Sequence, residues 1–155
     1  MEKFYVGITD KDWMNNLVHN KENLNGVINF WTPGTQEFKV LEMGDLFLFK
    51  LHSKKDKGEY GEIVGGAFFS RYCKLTFSEA WNRYGIGNGV KSEEEMKKKI
   101  TSYRSKNNMK MDEEIGCIIL ENPFFFPKEE WIESPEDWSK SIVKGKRYGA
   151  PVRCS

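Results

Sequence analysis

An indole flanked by hydrogen-bonding side chains is the feature of this sequence best suited to bind a ligand. Trp31 ends the apolar run 27–31 and is followed by Thr32, then by a Pro-Gly pair that must stop a strand and bend the chain. A ring in this place can stack on a planar molecule while the Asn29 amide and the Thr32 hydroxyl reach its edge. We therefore predict a binding site for a planar ligand at Asn29, Phe30, Trp31 and Thr32.

Two further candidates come after the middle of the chain. Trp81 falls in a predicted helix, where it either lines the same pocket or belongs to the core. Asn88 stands between two glycines, and its amide can both donate to and accept from a polar ligand edge. For Asn88, as for Asn29, the alternative is a structural role in tying down a turn.

Basic side chains near the end of a central apolar run are candidates for contacts with a phosphate backbone. Lys50 and His52 interrupt that run, and Lys54 and Lys55 follow in a charged loop. A lysine loop at the mouth of a barrel can meet phosphates. An ordinary polar loop is the alternative, because connecting segments are polar in most proteins.

A pair of apolar strands must position these residues. Runs 46–51 and 63–69 are almost continuously apolar, and Gly58 and Gly61 turn the chain between them. Strands that do not alternate are expected to be covered on both faces. This pattern predicts an α+β fold, namely a small closed or half-closed β-barrel of about five to six strands with flanking α-helices.

Shorter elements are expected to cover this barrel. In chain order, we predict a strand at 4–8, a helix at 11–19, a strand at 27–31, helices at 77–84 and 93–104, a strand at 115–120 that ends at 121–123, a helix start at 134–135 and a last strand or clasp at 142–148. Trp13 is interpreted first as a core residue. The stripe of Met96, Ile100 and Tyr103 is predicted to be packing and not a site.

Charge is distributed unevenly along the chain. The formal net charge of +1 argues against binding polyanions through a global field. Segment 97–110 nevertheless carries six basic residues and no acidic one, segment 140–155 carries five and none, and segment 129–137 holds five acids. Each basic segment is either a solvated surface or a track for phosphates.

Composition indicates one domain at 1–149 followed by a tail or truncated linker at 150–155. The chain has 155 residues and a 14% aromatic share, which predicts either a ring-rich core or rings that meet a ligand. Three cysteines without metal spacing favour a reducing cytoplasm. No apolar stretch approaches membrane-spanning length, so we expect a cytoplasmic protein without a membrane partner.

The usual catalytic motifs are missing from the sequence. It contains no GxSxG, HExxH, P-loop or dinucleotide-binding glycine pattern, and its two histidines and three cysteines are scattered. We therefore predict a binding module that is not an enzyme and that needs no cofactor or metal.

The order of these segments resembles a known group of domains. The block 43–49, followed by 63–66, resembles the PUA-like superfamily, particularly its EVE and YTH-type domains. A longer string, from about residue 4 to 148, is similar to the amino-terminal PUA-like specificity domain of HNH-type, modification-dependent restriction endonucleases. Its pieces are 29–31, 49–51, 65–69, 80–81, 88–89, 115–117 and 122–125.

This resemblance implies a function as well as a fold. It implies a barrel that takes a nucleobase, often a modified one flipped from its strand, into an aromatic cage in which Trp31 looks like the first tryptophan. The implied partner is nucleic acid, modified DNA first and RNA as the alternative. No HNH motif is present, so a nuclease would reside in another domain or subunit. A protein-interaction domain that uses segment 124–131 is a third hypothesis.

Overall fold

A six-stranded mixed β-sheet forms the centre of the computed structural model, which describes residues 2–106, 114–138 and 145–150. The strands are β1 (Glu2–Thr9), β2 (Val27–Thr32), β3 (Leu46–Leu51), β4 (Ser53–Lys54), β5 (Glu59–Tyr60), β6 (Ile63–Leu75), β7 (Ile115–Phe125) and β8 (Gly145–Ala150). The helices are α1 (Lys11–His19), α2 (Phe77–Tyr84) and α3 (Glu93–Lys106). Strands β4 and β5 form a separate hairpin.

The main sheet curls upon itself. Its order is β2-β7-β6-β3-β1-β8, and β1 and β3 are parallel neighbours while the other pairs are antiparallel. The Phe30 ring of β2 and the Phe47 ring of β3 lie 4.7 Å apart, although two strands separate them in that order. A flat sheet would place these strands about 14 Å apart. The strands therefore curve around the rings as a half-closed barrel, and the predicted α+β fold with flanking helices is confirmed.

Irregular pairing in β6 helps the sheet to bend. The register of β6 against β7 shifts between Gly66 and Phe68 and again between Phe69 and Arg71. An extra residue on one strand of an antiparallel pair bends that strand and increases its twist. The long strand β6 can thus follow the curve of the barrel while it pairs with both β3 and β7.

Aromatic rings fill the barrel. Phe47 and Phe49 are fully buried, and Phe49 lies 5.0 Å from the indole of Trp13, centroid to centroid. A second cluster lies between the sheet and the helices α2 and α3, where Met96 and Ile100 are fully buried. The ring-rich core therefore accounts for many of the aromatic residues.

The helices begin where the sequence predicts. The Asp10 carboxylate accepts a hydrogen bond from the backbone N–H of Trp13 at 2.8 Å and starts α1. Thr76 and Glu79 form a reciprocal capping box at α2, which ends at Gly85 with a φ of 49°. These bounds match the predicted helices 11–19 and 77–84.

Three predicted boundaries are wrong. Strand β6 continues to Leu75, beyond the predicted end at 69. Strand β7 continues through Pro123 to Phe125, because the missing N–H of Pro123 falls where β6 and β7 shift register and no ladder bond is needed there. The helix predicted at 134–135 does not form within 133–138; a turn occupies 136–137. Residues 142–144 of the predicted last strand and residues 151–155 of the predicted tail lie outside the described part.

The two cysteines in the described part of the chain differ in exposure. Cys73 is partly exposed and Cys117 is buried, and both are free thiols. Burial raises the pKa of the Cys117 thiol to about 12. None of the helices in the described part of the chain combines the length and apolar character needed to cross a membrane.

Candidate functional site

A cavity of about 700 Å³, which we call the indole cavity, lies beside the end of β2. Its walls come from the ends of β1 and β2, the first turn of α1 and one face of α3. Phe30, Trp31 and Thr32 line it together with His52. The structure therefore brings four of the predicted site residues to one place, and the volume falls in the range of small-molecule sites.

Two indole rings form the apolar part of the indole cavity. Trp31 is half-buried, and its Nε1 donates to the backbone oxygen of Asn88 at 2.9 Å. Trp13 is only 5% exposed, and its Nε1 donates to the backbone oxygen of Asn29 at 3.3 Å. Each indole N–H is hydrogen-bonded to a backbone oxygen of a residue that does not line the cavity. Both indoles are therefore held in place without a ligand. Trp13 thus belongs to the core and to the cavity wall.

Asn29 and Asn88 lie behind these rings and not in the cavity. Both are fully buried, and Asn29 Nδ2 donates to Asn88 Oδ1 at 2.9 Å. Asn88 Nδ2 also donates to the backbone oxygens of Ala80 at 3.0 Å and Gly85 at 2.8 Å. The pair, which we call the asparagine clamp, ties β2 to the end of α2. The amides hold the ring-bearing segments together, as the structural alternative for these residues predicts.

Trp81 is separate from the indole cavity. It is half-buried on α2 and packs against the second core cluster. It does not line the cavity. Trp31 and Trp81 therefore do not line one cavity together. The second indole that lines the indole cavity is Trp13.

Polar groups surround the rings at the mouth of the indole cavity. Asp10, Thr32, His52, Lys99, Ser102 and Tyr103 all line it. The Thr32 hydroxyl donates to the backbone oxygen of Gly34 at 3.1 Å, and one Asp10 oxygen is used by the helix cap. The site thus offers a carboxylate, hydroxyls, an imidazole and an ammonium group to the edge of a bound molecule.

The face of α3 that lines the indole cavity was missed from the sequence. Tyr103 is 40% exposed, so its prediction as a packing residue is wrong, whereas Met96 and Ile100 are buried as predicted. Lys99, Ser102 and Tyr103 recur at three- and four-residue spacing and therefore share one helix face. The spacing in the sequence shows that these three residues share a helix face. It does not show which other element of the fold lies opposite that face.

The predicted contacts with a phosphate backbone divide into three groups. His52 is exposed and lines the indole cavity, and Lys54 is exposed on the hairpin without lining it. The side chain of Lys55 lies outside the described part. Lys50 is only 2% exposed, and its Nζ donates to the backbone oxygen of Leu51 at 3.3 Å. The prediction for Lys50 is therefore wrong, because a phosphate cannot reach a buried ammonium.

The surroundings of Lys50 explain its burial. Its Nζ lies 4.8 Å from the ring centroid of Trp138, a cation–π distance. Burial lowers the pKa of the Lys50 ammonium, and the charge of Glu62 opposes this shift. The aliphatic part of the Lys50 side chain is buried at the end of β3, and its ammonium group contacts the Leu51 carbonyl and the Trp138 ring.

Lys50→Met is expected to leave stability unchanged within about 1 kcal/mol or to increase it. The methionine keeps most of the buried volume and removes a charge that is costly to desolvate. Urea unfolding at neutral pH measures the difference in free energy of unfolding. A loss of more than about 2 kcal/mol would show that the cation–π contact and the Leu51 hydrogen bond outweigh desolvation.

Within the described residues, no group of three or more His, Cys, Asp and Glu side chains could hold a metal ion. Stacking on Trp31 and hydrogen bonding at the mouth are both available to a planar, polar-edged molecule.

The fold is similar to the crystal structure of a mutant of the protein ZmASCH from Zymomonas mobilis, with a TM-score of 0.47 and 11% sequence identity. The alignment covers 82% of this chain and 77% of that chain. No protein-family model matches the sequence, and no curated protein matches it.

Proposed function

We propose that this protein is a non-catalytic nucleic-acid-binding module that takes one unstacked base into the indole cavity. The observation that carries the proposal is the Trp31 ring. It is partly exposed on the wall of a cavity of about 700 Å³, and its N–H donates to the backbone oxygen of Asn88 at 2.9 Å. A ring held in this way loses little freedom when a base stacks on it.

The energetics of base binding fit this cavity. Extruding a base from a duplex costs a few kcal/mol, and stacking on an aromatic ring returns about 1–3 kcal/mol per base. Hydrogen bonds to the base edge supply the rest, and Asp10, Thr32 and Tyr103 are placed to offer them. A base that is already unpaired or weakly paired would bind more tightly, since it avoids the extrusion cost.

The finer proposal follows from the resemblance to EVE and YTH-type domains. We propose that the base is a modified base in DNA and that the chain supplies specificity to a modification-dependent restriction system. The nuclease would be another domain or subunit. RNA is the alternative target, and the same cavity would serve it, because a single-stranded base presents the same face to a ring.

A panel of labelled oligonucleotides tests this function. Matched single strands and duplexes would carry one methylated cytosine, hydroxymethylated cytosine, methylated adenine or unmodified base, with RNA strands of the same sequence. We expect the modified DNA to bind at least about tenfold more tightly, measured by fluorescence anisotropy at fixed salt. Equal affinity for all DNAs would remove the modified-base claim, and a preference for RNA would promote the alternative.

An aromatic surface supports a second candidate function, a protein-interaction domain. Phe68 is 39% exposed, and its ring lies 6.1 Å from that of Phe124, which in turn lies 5.7 Å from Phe126. Such an apolar patch is typical of protein contacts. An absence of any nucleic-acid binding at low salt, where phosphate contacts are strongest, would favour this function over the first.

A further inference from the structure

Lys99 lies at the junction of two cavities. It lines the indole cavity, and it also lines a second cavity of about 690 Å³, which we call the α1–α3 groove. On α1 the groove is bordered by Asn15, Asn16 and His19, and near α3 by Lys91 and Glu95. Since one side chain borders both, the two cavities are neighbours along the same face of the protein.

The two cavities differ in chemistry. The indole cavity contains Trp13, Phe30 and Trp31, whereas none of the residues that line the α1–α3 groove is Phe, Tyr or Trp. The groove contains the exposed Asn15 amide, an imidazole and two lysines, with Asp12 and Glu95 as the opposing acids. The amides of Asn16 and Asn20 also border it, but they already donate to backbone oxygens. Amides and cations are the usual partners of sugar and phosphate groups. A stacking site therefore continues into a site suited to a polar backbone.

The Lys99 ammonium is available for a phosphate. Within residues 2–106, 114–138 and 145–150 it makes no ion pair and no hydrogen bond. Its side chain is partly buried, whereas Lys97 and Lys98 beside it are exposed and line neither cavity. Asp12 and Glu95 repel a phosphate, so the cationic part of the groove around Lys99 and Lys91 is where one is favoured.

We propose that a nucleic-acid strand runs from the indole cavity across Lys99 into the α1–α3 groove, and that Lys99 pairs with the phosphate beside the bound base. This inference rests on the proposed function, since it presumes a base in the indole cavity. It assigns Lys99 as a backbone contact and the groove as the binding site of the neighbouring nucleotide. It also gives one member of the basic segment 97–110 the role of a phosphate contact.

The test compares Lys99→Ala with Lys97→Ala in the full chain. Both variants lose one positive charge from the same helix, but only the first loses a residue that borders the cavities. The probes are the free nucleoside deoxycytidine and a single-stranded oligodeoxycytidylate of about twelve nucleotides, a length within the range of about 4–16 nucleotides that one small domain covers. Binding is measured by anisotropy and calorimetry over a range of salt concentrations.

We expect Lys99→Ala to weaken oligonucleotide binding about fivefold and to reduce the slope of log K against log salt by about 0.7, the value for one phosphate on a single strand. Lys97→Ala should change affinity for the oligonucleotide less than about twofold and should leave nucleoside binding unchanged. Lys99→Ala should weaken nucleoside binding less than it weakens oligonucleotide binding, because the nucleoside carries no phosphate.

Two other results would overturn the inference, and they separate it from the proposed function. If Lys99→Ala behaves like Lys97→Ala while the oligonucleotide still binds in a Trp31-dependent way, the strand takes another path and the base-binding function survives. If neither this oligonucleotide nor any strand of the modified panel binds even at low salt, the proposed function fails and the path fails with it.

Discussion

Trp31→Ala is expected to weaken binding of the preferred oligonucleotide by about 1–3 kcal/mol, which is roughly a five- to 150-fold rise in Kd. The variant removes the one half-exposed indole of the indole cavity and so removes the stacking surface for the base. Trp31→Phe should lose less, because a smaller ring still stacks although it cannot donate to Asn88. Fluorescence anisotropy at fixed salt measures both changes.

Trp131→Ala is the matched control for this experiment. Trp131 is also half-buried, and its Nε1 donates to the backbone oxygen of Phe126 at 3.2 Å, but it does not line the indole cavity. Both alanine variants should lose similar stability, while only Trp31→Ala should lose affinity. Equal losses of affinity would contradict the site, and a Trp31→Ala chain that no longer folds would show that the ring serves the core.

The sequence predicts most of the fold because local rules determine it. The apolar run at β3, the Asp10 cap and the capping box at Thr76 and Glu79 each act through neighbours along the chain, and each is found as predicted. The run at β6 is also a strand, but it extends to Leu75. The continuation of β7 through Pro123 was missed because it depends on a shift of register against another strand. No local pattern reports such a shift.

Only some of the site residues could be predicted from the sequence, for a related reason. Trp31 and Thr32 reach the cavity by their place at a strand end, which the sequence shows. Whether an amide points at a ligand or at another amide depends on a residue 59 positions away, as in the contact between Asn29 and Asn88. Burial of Lys50 likewise depends on Trp138, far along the chain. Contacts over such separations are settled by packing and not by spacing.

Asn88→Ala is expected to reduce the free energy of unfolding by on the order of 3–5 kcal/mol. The Asn88 side chain is fully buried and makes three hydrogen bonds, to Asn29, Ala80 and Gly85. Its removal leaves the buried Asn29 amide donor without this partner and takes one hydrogen bond from each of the Ala80 and Gly85 carbonyls, and each such loss costs about 1–3 kcal/mol. Those costs are not fully additive, since the segment can relax. Urea unfolding measures the loss.

Asn82→Ala is the matched control, because Asn82 is exposed on α2 and its change should stay within about 0.5 kcal/mol. Asn29→Ala removes the partner of Asn88 Oδ1 and should fall between them at about 1–3 kcal/mol. It keeps the experiment informative if Asn88→Ala does not fold. The asparagine clamp also fixes the segment whose carbonyl holds the Trp31 indole, so folded variants should bind the oligonucleotide more weakly. An Asn88→Ala protein of normal stability that loses only affinity would instead restore Asn88 as a reader of the base edge.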